Sequence, residues 1–134
     1  MNKQKFRKQL LRQWGIRVKE RANNVCEYCG AGPRYLNAHH IIGYKTKNSP
    51  LKYMVENGIA LCPRHHKLGD ISAHRNPLIF YHWFEKEHLN RYNWILLHYL
   101  DKVDLNDENI LINLMDKLTD NSIGASIIKE TRCH

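Results

Sequence analysis

Apolar residues recur at helical spacing near both ends of the chain and break into short runs in its middle. Near the start, Phe6, Leu10, Leu11, Trp14 and Val18 keep a 3.6-residue period with basic residues between them. No Pro interrupts residues 3–23, so the pattern predicts one helix from Lys3 to about Asn23, with Gly15 as the place for a kink. From Cys26 to His66 short apolar runs alternate with Gly, Asn and Pro, predicting strands at Ala38–Ile42 and Gly58–Leu61. The stretch 43–57 between them reads as a loop carrying Lys45, Lys47 and Lys52. Asn76-Pro77 then predicts a helix start, with Asn as cap and Pro in the first turn. Phe80, Trp83, Phe84 and Leu89 supply that helix's apolar side. A further helix is expected from Arg91 to about Asp101, using Tyr92, Ile95, Leu96, Tyr99 and Leu100. A last one is expected over Asp107–Leu118, with a stripe of Ile110, Leu111, Leu114, Met115 and Leu118. These stripes read as core. Residues 119–134 lack a strong period and are expected to form a mobile tail.

Composition narrows the class. With 134 residues, 43% hydrophobic and 25% charged, the chain fits one folded domain rather than a disordered polymer. No run of about 18 apolar residues is present, so no membrane span is expected, and no apolar export core follows the basic start. Four cysteines, two of them close together, one alone and one beside the end, do not make a disulfide scaffold. They fit a reducing, cytoplasmic setting in which thiols hold metal. The net charge of +8 is uneven: residues 1–21 carry eight basic groups against one acid, and residues 101–134 four against seven. A basic end opposite an acidic one suggests a polyanion partner, although charge alone is equally consistent with a solubilising helix.

Cys26-Glu27-Tyr28-Cys29-Gly30 presents two thiols at zinc-binding spacing, followed by a residue that permits the tight turn. Cys62 and His65 supply a second pair, three apart, able to face one way at a helix start. Cys26, Cys29, Cys62 and His65 then make a closed Cys3His knuckle, which holds zinc structurally and leaves no open position for chemistry. The competing readings are a redox pair at Cys26 and Cys29 and a merely buried Cys62. The region has few large apolar residues, so bound metal would supply stability that its core cannot.

Histidines that such a zinc does not need lie beside it. Ala38-His39-His40-Ile41 sits inside the bracket, followed by Asn57 and then His66 next to the ligand His65. About 100° separates adjacent helical residues, so His65 can face zinc while His66 turns toward the strand of His39 and His40. The segments CEYCG, AHHI, NGIALCPRHHK and SAHRNP, over about residues 26–77, resemble the HNH endonuclease family, and the small stand-alone members of phages and mobile elements in particular. The resemblance implies a ββα-metal core braced by the zinc knuckle; the helical parts at 1–24 and 78–118 lie outside it and complete an expected α+β fold. It implies DNA as partner, and hydrolysis with one catalytic divalent ion to 5′-phosphate and 3′-hydroxyl ends. Carried over, His40 is the general base, His39 and His66 are ligands of the catalytic ion, and Asn57 orients the His40 side or ties the loop to the second strand. His74 is a further ligand or a phosphate contact.

Many members carry Asp where this chain has His39; an all-nitrogen site favours Mn2+, Ni2+, Co2+ or Zn2+ over Mg2+. Lys3, Lys5, Arg7, Lys8 and Arg12, with Arg64, Lys67 and Arg75 near the site, are the expected DNA contacts. One geometric objection stands. Neighbouring residues of a regular strand point to opposite faces, so His39 and His40 reach one site only from a strand end or bulge, which Gly43 allows. The alternative is a non-catalytic zinc-ribbon module that binds DNA, and a third reading is an inactive family relative. A monomer is the simpler expectation, with the 107–118 helix available to a homodimer.

Overall fold

Asn2 opens the first helix by accepting the Lys5 N–H on its side-chain oxygen at 3.0 Å, and α1 (Lys3–Arg21) runs on through Gly15 as one element. A computed structural model describes residues 1–32, 35–43 and 48–120 of the chain, and within them the structure is mixed α+β. Leu10, Trp14, Val18 and Arg21 form the buried face of α1; Leu11, counted in the stripe from sequence, is turned about 100° from Leu10 and is exposed. Two strands follow, β1 (Asn37–His40) and β2 (Gly58–Leu61), paired antiparallel with Ala38 opposite Ala60 and His40 opposite Gly58. The ladder ends two residues before the expected Ile42. Asn57 is the reason: its side chain accepts the Ile42 N–H at 2.8 Å and donates to the Ile42 carbonyl at 3.1 Å, drawing that residue out of the pairing.

β2 is buried along its whole length because each face of the small sheet is covered. Ala60 packs with Leu10, Trp14, Val18 and Tyr53 and with Leu111, Leu114 and Leu118. Ile59 and Leu61 pack on the other side with Cys26, Cys62, Phe80, Phe84 and Ile95. Between the strands, residues 50–53 and 55–57 form 3-10 turns rather than open loop, while Lys45 and Lys47 lie outside the described residues. After β2 the expected helix is a single π turn, Arg64–Leu68, closed by the Gly69 N–H on the Arg64 carbonyl at 2.7 Å.

α2 (Pro77–Glu87) begins where Asn76-Pro77 predicts, but the Asn76 side chain does not cap it and donates instead to the Asp70 carbonyl. Leu89 opens α3 (Leu89–His98) and is exposed rather than closing the α2 stripe. The inward face of α3 is Arg91 and Ile95; Leu96, Tyr99 and Leu100, expected to pack, are exposed. α4 (Glu108–Thr119) is capped by Asp107, which accepts the Asn109 N–H at 2.8 Å, and packs Leu111, Leu114 and Leu118 on α1. The tail read over 119–134 lies, beyond Asp120, outside the described residues. No helix among the described residues is long and apolar enough to cross a membrane.

A charged centre explains the face that α3 presents. Glu27, between the two knuckle cysteines, accepts from Arg91 at 2.9 Å and from the Ala60 N–H at 2.7 Å, with Arg21 at 3.4 Å. Both guanidinium groups also donate to the Gly58 carbonyl. Burial pushes the Glu27 carboxyl up, but Arg91, Arg21 and the Ala60 N–H outweigh it and hold the group ionised. Burial, reinforced by Arg91, lowers Arg21 to about 10, which still leaves it charged at neutral pH.

Glycine is required where β2 meets α1. A Cβ on Gly58 would lie 2.3 Å from Val18 Cγ2 and 2.9 Å from Trp14 Cζ2, whereas one on Gly15 meets only Ala38 Cβ at 3.8 Å. Gly58→Ala is therefore expected to destabilise the fold by about 1–3 kcal/mol through overpacking. Gly15→Ala is expected to stabilise it by about 0.5–1 kcal/mol through helix propensity. Urea denaturation of the two variants checks both signs, and equal effects would contradict the packing described.

Candidate metal centre

The knuckle is built by a turn and a strand end. Gly30 sits at φ +76°, the left-handed region that glycine enters freely, and the Cys26 N–H bonds the Ala31 carbonyl at 2.8 Å, closing the loop around Cys29. On the other side, the N–H groups of His65 and His66 both reach the Cys62 carbonyl, at 3.1 and 2.9 Å, tightening the turn that carries His65. The sulfurs and ring nitrogens of Cys26, Cys29, Cys62 and His65 lie within 4.8 Å of one another. Cys29 Sγ to Cys62 Sγ is 3.9 Å, Cys62 Sγ to His65 Nδ1 is 3.2 Å and Cys26 Sγ to His65 Nδ1 is 3.9 Å. A tetrahedral zinc with ordinary bond lengths has edges of about 3.8 Å between sulfurs and about 3.6 Å between sulfur and nitrogen, so the four residues fit zinc. Burial pushes the Cys26 thiol up, but backbone N–H groups of Cys62, Cys29 and Tyr28 draw it below the usual thiol value. Cys62 is raised by burial and by the facing sulfurs. Tyr28 covers the site, stacked on His65 at 4.3 Å between ring centroids and against Trp83 at 4.4 Å.

A second group of possible metal ligands, His39, His66 and His74, also converges within 4.8 Å. They come from β1, the π turn and the loop before α2; His66 Nε2 and His74 Nε2 are 2.9 Å apart. That separation fits two nitrogens at right angles on one ion with bonds of about 2.1 Å. Burial, reinforced by the neighbouring His66, His74, His40 and Lys67, lowers His39 to about 3. Burial and His74 lower His66 to about 4. Both rings are therefore neutral at pH 7, the state in which a histidine binds metal. Adjacent residues of the π turn thus serve separate clusters, His65 the first and His66 the second.

His40 does not join either cluster. As the strand alternation requires, it lies on the opposite face of the sheet from His39. Its ring stacks flat on Trp14, centroids 3.8 Å apart and planes within 5°, and its Nε2 lies 2.9 Å from the Lys52 carbonyl. A carbonyl only accepts, so Nε2 carries the proton and the basic lone pair of the neutral ring is on Nδ1. Burial lowers His40 from its ordinary value, partly opposed by the Lys52 carbonyl. Asn57 is fully buried and holds the strand end at Ile42 and, through a 3.1 Å bond, the Leu51 carbonyl.

The basic residues divide. Lys5, Lys8, Arg12, Arg64 and Lys67 are exposed, and Lys3 is half-buried. Arg7 is turned to the Leu105 carbonyl at 3.1 Å and to Asn106, and Arg75 to the Leu68 carbonyl at 3.2 Å with Asp70 at 3.6 Å. Two side chains at these sites escape a reading of spacing. Trp14 fits a core stripe, with nothing in the sequence to pair it with His40. Tyr81, whose hydroxyl lies 3.0 Å from His39 Nε2, sits on α2 outside every motif.

Complete chelation is expected to remove one tightly held zinc and the near-ultraviolet dichroism of Tyr28 and Trp83, and to lower the melting temperature steeply, since structural zinc is worth on the order of 10 kcal/mol in small sites. Unchanged dichroism and melting after full zinc removal would contradict a structural role. A second expectation concerns pH. His88, buried beside Arg91, is lowered to about 4, and with His39 and His66 it refuses protons that the unfolded chain accepts near pH 6.5. Stability is then complete above pH 6.5 and falls as the pH drops toward 4. Denaturation midpoints should decline from pH 7 to 5, and less steeply in His88→Gln, which leaves both ligand clusters intact. Set against known proteins, the chain matches no family model, no curated protein and no solved structure.

Proposed function

We propose that this chain is a metal-dependent endonuclease of the HNH type that hydrolyses DNA phosphodiester bonds. The observation that carries the reading is the convergence of His39, His66 and His74 within 4.8 Å, beside a separate four-ligand knuckle. A purely structural zinc module has no use for the second set. In this reading β1, β2 and the 64–68 turn are the ββα-metal core, reduced to a single turn at its helix, and the knuckle braces it.

The second site would hold one divalent ion, which as a Lewis acid offsets charge on the phosphate and on the leaving oxygen. An all-imidazole site favours Mn2+, Ni2+, Co2+ or Zn2+ over Mg2+. His40 is the general base: the Lys52 carbonyl holds its Nε2–H, Trp14 fixes the ring plane, and Nδ1 takes the proton of the attacking water. The lowered affinity of His40 for protons keeps it in the accepting form at neutral pH. Because His39 and His40 lie on opposite faces, the scissile phosphate would have to straddle the end of β1 to meet both. Asn57 pins that end and so sets the distance across it. Exposed Lys5, Lys8 and Arg12 lie along one side of α1 and would grip the DNA backbone without reading sequence, with Arg64 and Lys67 nearer the phosphate.

Plasmid cleavage by the wild type and by His40→Ala, scanned over Mg2+, Mn2+, Co2+, Ni2+ and Zn2+, tests the reading. The wild type is expected to nick DNA with at least one ion, and a folded His40→Ala to be slower by about 10²–10⁴-fold. Salt-sensitive DNA binding without cleavage under any ion would sink the nuclease reading in favour of a zinc-ribbon binding module.

A further inference from the structure

A neutral imidazole can give one nitrogen to a metal only if the proton resides on the other, and metal-binding histidines are usually held by a hydrogen bond on that second nitrogen. His39 has such a partner. Its Nε2 lies 3.0 Å from the hydroxyl of Tyr81, a side chain that α2 delivers from outside the cluster of ligands. The helix is well anchored at this point: Phe80 and Phe84, on either side of Tyr81 along α2, are fully buried. The neighbouring Trp83 reaches Tyr28 over the zinc knuckle. α2 thus touches both ligand groups, at His39 through Tyr81 and at His65 through Trp83 and Tyr28.

We propose that Tyr81 is the positioning residue of the His39–His66–His74 site, its hydroxyl oxygen accepting the Nε2–H of His39 so that the ring is held in one tautomer with Nδ1 left for the ion. The inference rests on reading these three histidines as a metal site. It differs from a packing role in a checkable way. The ring of Tyr81 meets Phe80 edge-on at 5.3 Å between centroids, a contact that phenylalanine reproduces, whereas the hydrogen bond to His39 belongs to the hydroxyl alone.

The test uses the full chain with its knuckle loaded with zinc, titrated with Co2+ and followed by visible absorption and calorimetry. Wild type, Tyr81→Phe and His39→Ala are compared, with melting before Co2+ is added as the control for folding. The wild type is expected to bind one further Co2+. Tyr81→Phe should bind it about 10–100-fold more weakly at unchanged zinc content and melting temperature. Long-range proton–nitrogen spectra should find His39 in the Nε2–H form in the wild type and in a mixture of tautomers in Tyr81→Phe. Equal Co2+ affinity in wild type and Tyr81→Phe would overturn the role of Tyr81 while leaving the site standing, and so would a Tyr81→Phe protein that melts markedly lower, which would make the hydroxyl structural. No further Co2+ bound by the wild type, or undiminished binding by His39→Ala, would instead overturn the metal site itself.

Discussion

The carboxylate of Glu27, held between Arg21 and Arg91 beneath the sheet, is the interaction on which the arrangement depends. Buried charges are costly, and a lone one would be excluded. Here the carboxylate has two guanidinium partners and a backbone N–H, and the Gly58 carbonyl accepts a hydrogen bond from each guanidinium. The group joins four pieces of chain: the end of α1, the loop between the knuckle thiols, the first residue of β2, and the first turn of α3. Removing one member of such a set typically costs about 3–5 kcal/mol, because the remaining charges are left buried without compensation. Ion pairing thus helps to set the position of the knuckle relative to the sheet.

Around that centre the sheet works as a partition. Alternation sends Ala38 and His40 to the α1 side and His39 to the α2 side, and the two hydrophobic clusters follow the same division. A two-stranded sheet is rarely stable by itself. This one is covered on both faces, which is why every residue of β2 is buried and why two adjacent histidines occupy such different surroundings.

Periodicity located α1 and α4 closely, since the buried stripe of an amphipathic helix is a local property of spacing. It misjudged α3 and the residues after it, where Leu96, Tyr99 and Leu100, expected to pack, are exposed. The face that α3 buries is selected by Arg91, whose partner Glu27 lies 64 residues earlier. The end of β1 escaped for the same kind of reason: Asn57 captures Ile42 from 15 residues away. The four knuckle residues were legible because metal geometry imposes short, fixed spacings. The surroundings of His40 were not, since Trp14 and the Lys52 carbonyl arrive from two other segments and carry no motif. Tyr81 was hidden likewise, its place decided by the packing of Phe80 and Phe84 in the cluster with Ile59 and Leu61.

The pairing of α1 with α4 has a consequence for how the molecule is made. Arg7 and Arg17 bond carbonyls 98 and 101 residues further along, and Leu10, Trp14 and Val18 share their cluster with Leu111, Leu114 and Leu118. During synthesis Tyr53 and Ala60 reach the apolar side of α1 first, and Leu111, Leu114 and Leu118 complete its cover only after about fifty further residues. Contacts of such sequence separation form late and slowly. Trp14, the surface on which His40 rests, belongs to that cluster, so the seat of His40 is finished only when α4 has docked.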